Sequence, residues 1–179
     1  SSMWERPSLR ILLYFLIHVG GVGLGILFSV NPNNLEEVSI FWPAAGILVA
    51  ALLLSRTRAW LGLLGASIMA QLAADVVWVG QKNIGISLYF GFTNALEAFL
   101  AAYLLRRFVG EKMAFTKLKE VLSLAVWGAA ISSILGATLG AAGLVLLDSP
   151  NAYWLNWQLW WSSDALGILM VTPVILPIG

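Results

Sequence analysis

The stretch from Leu9 to Val30, LRILLYFLIHVGGVGLGILFSV, decides the fold. Past Arg10 its only ionisable side chains are Tyr14 and His18, and at about 1.5 Å per residue it is long enough to cross a hydrocarbon core about 30 Å thick. Runs of the same kind recur at Ser39 to Ser55, Ala59 to Gly80, Ile86 to Leu105, Val121 to Leu147 and Leu159 to Ile178. Of the 179 residues, 60% are hydrophobic and 11% charged, and a soluble globule could not hide that much apolar surface. The pattern predicts an all-α, polytopic transmembrane helical bundle of about six spans.

The breaks between the runs are Asn31-Pro32-Asn33-Asn34, Arg56-Thr57-Arg58, Gln81-Lys82-Asn83, the charged stretch Arg106 to Glu120, and Asp148-Ser149-Pro150-Asn151. Arg6, Arg10, Arg56, Arg58, Arg106, Arg107, Lys112, Lys117 and Lys119 fall on one side and only Lys82 on the other, so both termini are expected in the cytoplasm. Residues 1–8 read as a tag scar, Ser1-Ser2, followed by a cytoplasmic N-terminus, and residues 9–179 as one integral membrane domain. The first run is too long for a cleaved signal peptide. The last span reaches Gly179 without a cationic anchor, from which the natural chain is expected to continue. A net charge of +1 gives no field for nucleic acid, and with the longest loop at about fourteen residues no soluble catalytic domain fits.

Gly21 with Gly25, Gly136 with Gly140, and Gly62 with Ala66 are small-xxx-small pairs, which in lipid let helix backbones approach closely. They read as packing, not activity. Pro43 and Pro173 are expected to start or kink their helices. Tyr153, Trp154, Trp157, Trp160 and Trp161 cluster at the outer end of the last span, where amphipathic rings favour the headgroup region. A ligand-stacking role for them is the alternative.

Ionisable residues inside apolar runs carry the most information, because a charge at the centre of a membrane helix costs about 2.5 to 3.5 kcal/mol. His18, Asp75, Glu97 and Asp164 are such residues. Counted from the outer ends of the spans, Asp75 and Asp164 lie roughly 8 Å deep, Asn94 roughly 12 Å and Glu97 roughly 17 Å. Gln71 is one turn from Asp75, Asn94 and Glu97 are i, i+3 neighbours, and Trp160 and Trp161 stand over Asp164. Three helices can therefore share one polar seam holding three carboxyls and no Lys or Arg. Without a fixed partner its carboxyls must take up a proton or be paired from outside by an amine, a metal ion or a proton. Two readings stay open: interhelical hydrogen bonds worth around 0.6 kcal/mol each, or a ligand or proton site. His18 reads as a hydrogen-bonded packing residue.

Other chemistries find no support in the sequence. Zero cysteines and one histidine leave no thiolate or multi-histidine metal site, and neither metal nor cofactor is expected. The glycines of Gly20-Gly21-Val22-Gly23-Leu24-Gly25 lie inside a span, not in a strand-to-helix turn, so they form no nucleotide loop. Ser132, Ser133, Ser162 and Ser163 have no histidine at a comparable depth to activate them. No enzyme is expected in this chain.

Particular residues carry a family resemblance. Phe41-Trp42-Pro43-Ala44-Ala45-Gly46, followed by Arg56, Arg58 and Trp60, resembles the signature of bacterial membrane-associated sensor domains of the MASE type. Asn94-Ala95-Leu96-Glu97-Ala98 with Leu104-Leu105-Arg106-Arg107 is similar to that family's fourth-span motif. Trp160-Trp161-Ser162-Ser163-Asp164-Ala165-Leu166-Gly167 with Val171-Thr172-Pro173 is similar to a later span. The resemblance covers about Phe41 to Pro173 in order. It implies a sensory input module of the bacterial inner membrane, joined in its natural chain to a cytoplasmic histidine kinase or diguanylate cyclase domain. The family typically has about eight spans, so six imply a truncated sensor.

On these grounds Glu97, Asn94, Asp164, Asp75, Gln71, Trp42, Trp160 and Trp161 are the candidate ligand-binding or signalling residues, with Pro43 and Pro173 carried over from the motifs. The expected partners are the bilayer, a small-molecule or membrane signal, the output domain and a second copy in a homodimer. Two rival readings remain: the substrate-binding membrane subunit of an energy-coupling-factor transporter, and a scaffold docking another membrane protein through its glycine faces.

Overall fold

A computed structural model describes residues 7–30, 38–80, 82–147 and 152–176, and among these the chain is all-α apart from one two-residue bridge. The breaks at Asn31 to Asn34 and Asp148 to Asn151, Gln81, Arg6, the Ser1-Ser2 scar and the end at Gly179 lie outside the described residues.

Six continuous rods form. The first is α1 (Pro7–Leu27), followed by β1 (Ser29–Val30) and β2 (Val38–Ser39), paired antiparallel with Ser29 opposite Ser39. Next comes α2 (Pro43–Leu54), with Pro43 in the first turn, where its missing N–H costs nothing. The third rod runs Thr57–Val79. Its body is α3 (Trp60–Ala74), entered by a 3₁₀ turn and left by a π turn at Asp75–Val79, which Gly80 closes at a φ of 69°. The fourth is α4 (Ile84–Phe108), capped by Asn83, whose side chain accepts from the N–H groups of Gly85 and Ile86. The fifth joins α5 (Leu118–Ser123) to α6 (Ser132–Leu147) through a π segment, Leu124–Ile131, and the sixth is α7 (Tyr153–Ile175).

Four rods, Pro7–Leu27, Thr57–Val79, Ile84–Phe108 and Leu118–Leu146, are long and apolar enough to cross a membrane. The other two expected spans differ from the reading by hydropathy. Only 12 residues of the second run are helical, roughly 18 Å of rise, because Ser39 to Trp42 are spent on the β bridge and the turn into Pro43. The last helix begins at Tyr153, six residues before the expected Leu159, because Asn156 and Gln158 lower the hydropathy of a segment that is fully helical.

The rods α1, α3, α4, α6 and α7 follow one another in an arc, each packed on the next in the order α1–α3–α4–α6–α7, and α2 stands inside it against α1, α4 and α7. This follows from sequence: α2 is apolar all round, and nine of its 12 residues, from Pro43 to Leu53, are buried. The core joins Leu48, Val49 and Leu52 of α2 to Leu105 of α4, Leu124 of the π segment and Ile168 of α7.

A helix that ends inside the bundle must have its terminal polar groups satisfied there. At the start of α2, the Trp42 N–H donates to the Ser163 carbonyl of α7 at 3.2 Å, and Thr172 Oγ1 donates to the Gly46 carbonyl at 3.1 Å. The two backbones touch: a Cβ on Gly46 would overlap the Gly167 carbonyl oxygen, and one on Gly167 the Trp42 carbonyl oxygen. At the other end, Arg106 donates to the carbonyls of Leu52 at 3.1 Å, Leu53 at 3.2 Å and Ser55. The Trp60 indole N–H donates to Leu52 as well, at 2.8 Å, and the guanidinium lies 4.8 Å from the Trp60 ring centroid. Arg106, counted in the sequence as a topological cation, caps a helix.

Two predictions follow from the ends of α2. Gly167→Ala is expected to destabilise the bundle by about 1 to 3 kcal/mol through overpacking, whereas Gly65→Ala, with nothing within 4 Å of the new methyl, stays within about 1 kcal/mol of the parent. Unfolding in mixed micelles measures both, and equal losses would show that the α2–α7 crossing is not tight. Arg106→Gln is expected to cost about 1 to 3 kcal/mol in the same assay, because it removes the donors from the α2 carbonyls.

Candidate functional site

Glu97 sits 13 residues into α4 and Asp164 11 residues into α7, roughly 20 Å and 17 Å along their helices. The early start of α7 corrects the shallow depth of roughly 8 Å read for Asp164 from the sequence and brings it level with Glu97. The two carboxyls, 1% and 2% exposed, are neighbours across the bundle. Glu97 Oε1 accepts from Ser133 Oγ of α6 at 3.3 Å, while Glu97 Oε2 and Asp164 Oδ2 have no hydrogen-bond partner of good geometry. Trp160, one turn before Asp164, lies beside its carboxyl, and its indole N–H is likewise without an aligned acceptor.

The glycines of α6 make room for this pair. A Cβ on Gly136 would fall on Glu97 Oε2, and one on Gly140 would enter the Trp160 ring at 2.5 Å. The small-xxx-small pair read as a backbone contact is therefore a seat for the carboxyl and the indole. Gly21 does meet the α2 backbone at Ala44, whereas Gly25 faces the Trp42 ring and Gly62 the tip of Ile11.

A second polar group runs from Asp75 to Asn94. Gln71 Nε2 donates to Asp75 Oδ1 at 2.9 Å, and Asn94 Nδ2 donates to Gln71 Oε1 at 3.5 Å. Asn94 Oδ1 is buried and unpartnered; Ser87 Oγ, buried beside Asp75, has no aligned partner either. The single seam expected across three helices is instead two groups: Asp75–Gln71–Asn94 between the end of α3 and α4, and Glu97–Asp164 between α4 and α7, to which α6 adds Ser133. Ser133, which the sequence offers as a hydroxyl with no base, is a carboxyl partner, and its i, i+3 spacing from Gly136 puts both on the helix face that meets Glu97.

The remaining candidates fall elsewhere. Trp161 does not stand over Asp164: its N–H donates to the Ala130 carbonyl in the π segment at 3.0 Å, and its ring lies parallel to Trp157 at 6.2 Å. Trp42 starts α2 against α1. His18, buried in α1, takes Tyr14 as its partner at 3.0 Å, with Ser67 adjoining Tyr14, apart from the carboxyl pair. Pro43 opens α2, and Pro173 lies inside α7. Among the described residues no group of three or more acidic, histidine or cysteine side chains is gathered to hold a metal.

No curated protein and no solved structure matches the chain significantly. A family model does, over residues 12–178, and its span takes in the α2–α7 crossing, the Glu97–Asp164 pair and Arg106. The chain belongs to the MASE1 family of membrane-associated sensor domains.

Proposed function

We propose that the chain is the sensory input module of a bacterial inner-membrane receptor, crossing the membrane six times with both termini in the cytoplasm. In this reading a signal in the outer half of the bundle changes the pairing of Glu97, Asn94 and Asp164. The shift in α4 and α7 then passes to a cytoplasmic output domain, a histidine kinase or a diguanylate cyclase, in the same natural chain. The observation that carries it is the Glu97–Asp164 pair, two carboxyls buried side by side with an unpartnered oxygen on each. Buried charge without full compensation is costly, so a change in its protonation or occupancy shifts the balance between two helix arrangements. Asp164 is placed to pass that change on, because the carbonyl of its neighbour Ser163 holds the start of α2. The transporter-subunit alternative rests on six expected spans in 179 residues, an outward polar pocket and small-residue faces that could dock a partner.

The test uses the full-length receptor, with the native gene read beyond the codon for Gly179. Glu97→Gln and Asp164→Asn are each expected to change kinase or cyclase output several-fold, and the double variant to be non-additive because the two groups act as a pair. Unchanged output in all three, with normal membrane levels, would remove the pair from signalling. Gly136→Ala, which displaces Glu97 from its seat, is expected to shift output in the same assay without altering any ionisable group.

A further inference from the structure

We infer that the Glu97–Asp164 pair is a binding site for one small monocation, a proton or a sodium ion, which reaches it from the outer face past Asp75, Gln71 and Asn94. This deepens the sensor reading and rests on it for its purpose.

The donor set points to a hard cation. Glu97 Oε2 and Asp164 Oδ2 are buried oxygens of adjoining carboxyls with no aligned donor, and Ser133 Oγ donates to Glu97 Oε1. Oxygen donors of this kind suit a proton or a hard metal ion. A divalent ion would overcompensate the single negative charge left when the two carboxyls share one proton, so the charge balance selects a monocation. The walls are tight: a single methyl on Gly136 would occupy the position of Glu97 Oε2, and Trp160 fills the space at Gly140. That leaves no width for an organic ammonium on the α6 side.

Charge sets the stoichiometry. Asp164 is the charged group that acts on Glu97. Elsewhere in the described bundle, α1 presents His18, engaged by Tyr14; the π turn after α3 presents Asp75; and the Arg106 guanidinium of α4 is taken up by the carbonyls that end α2. The described parts of α2 and α6 contribute no ionisable side chain, and α7 has only Asp164 among its carboxyls and amines. One proton shared between the two carboxyls leaves a single negative charge, which one monocation neutralises.

The route follows from the direction of the amides. Gln71 turns its N–H group toward Asp75, and Asn94 turns its own toward Gln71, so their carbonyl oxygens step inward, ending at the unpartnered Asn94 Oδ1, one turn from Glu97. Asp75 is partly exposed at the end of α3 that the charge bias places outside.

The experiment is infrared difference spectroscopy of the carboxyl stretch on the purified chain in lipid nanodiscs. It titrates pH with choline as the only other cation, and then sodium at fixed pH. A band lost in Glu97→Gln or in Asp164→Asn is expected; both replacements preserve side-chain shape, and either one suffices if the other fails to fold. If the occupant is a proton, raising pH bleaches that band and sodium leaves it unchanged. If it is sodium, adding the ion bleaches the band, and a tenfold change in proton concentration moves the half-saturating sodium concentration by up to tenfold. A band indifferent to both, or one that tetramethylammonium displaces as readily as sodium does, overturns the assignment. Asp75→Asn, or Gln71→Leu if that variant is unstable, is expected to slow hydrogen–deuterium exchange of the band at least tenfold, and an unchanged rate overturns the route. Loss of the ion response while Glu97→Gln still alters receptor output defeats this inference alone. Intact ion binding with indifferent output defeats the sensor reading instead.

Discussion

Where α2 crosses α7, the backbones at Gly46 and Gly167 meet with no side chain between them, and the rest of the bundle is arranged around that crossing. A helix of 12 residues rises roughly 18 Å, and its start, packed among α1 and α7, has its peptide groups satisfied by protein. Every solution is local and specific. Ser39 Oγ donates to the Gly25 carbonyl at 2.8 Å, Ile40 N–H to Phe28, and Trp42 N–H to Ser163, while Arg106 and Trp60 take up the carbonyls at the far end. The non-helical backbone leading into α2 is thus received by protein groups.

The carboxyl pair depends on the same crossing. The Trp42 to Ser163 and Thr172 to Gly46 bonds fix α7 lengthwise, and that register sets Asp164 level with Glu97. The fit is completed from α6, where two glycines one turn apart admit a carboxyl and an indole. The π segment just before contributes its Ala130 carbonyl to Trp161, which ties the aromatic end of α7 to the same rod.

Much of this was legible in the sequence, and the gaps have physical causes. The rod bodies follow from the apolar runs, and the cost of charge in hydrocarbon singles out Glu97 and Asp164, which the structure buries side by side. The start of α7 did not follow, because hydropathy registers Asn156 and Gln158 as polar whether or not they are helical. Nor did the depth of Asp164, which was counted from that start. Arg106 reads as one cation among many in the sequence, since a helix end needing a cap two rods away leaves no local signature. The glycines of α6 were read correctly as closely packed, but composition cannot say whether a neighbouring backbone or a side chain fills the groove. Ser133 was noticed for the wrong chemistry.

The two ends of α2 also set an order of events in synthesis. Its C-terminal carbonyls wait for Arg106, 54 residues beyond Leu52, and its Gly46 carbonyl for Thr172, 126 residues on. Ser39 and Ile40 find their acceptors at once on Gly25 and Phe28, but until the last helix has been made the Trp42 N–H lacks its acceptor on Ser163, and contacts of such separation form late. Assembly of this domain is therefore completed only when its last helix docks on its second. A nascent chain stalled before Ser163 holds a second helix whose Trp42 N–H still lacks its acceptor, so the segment is not yet held in its final register.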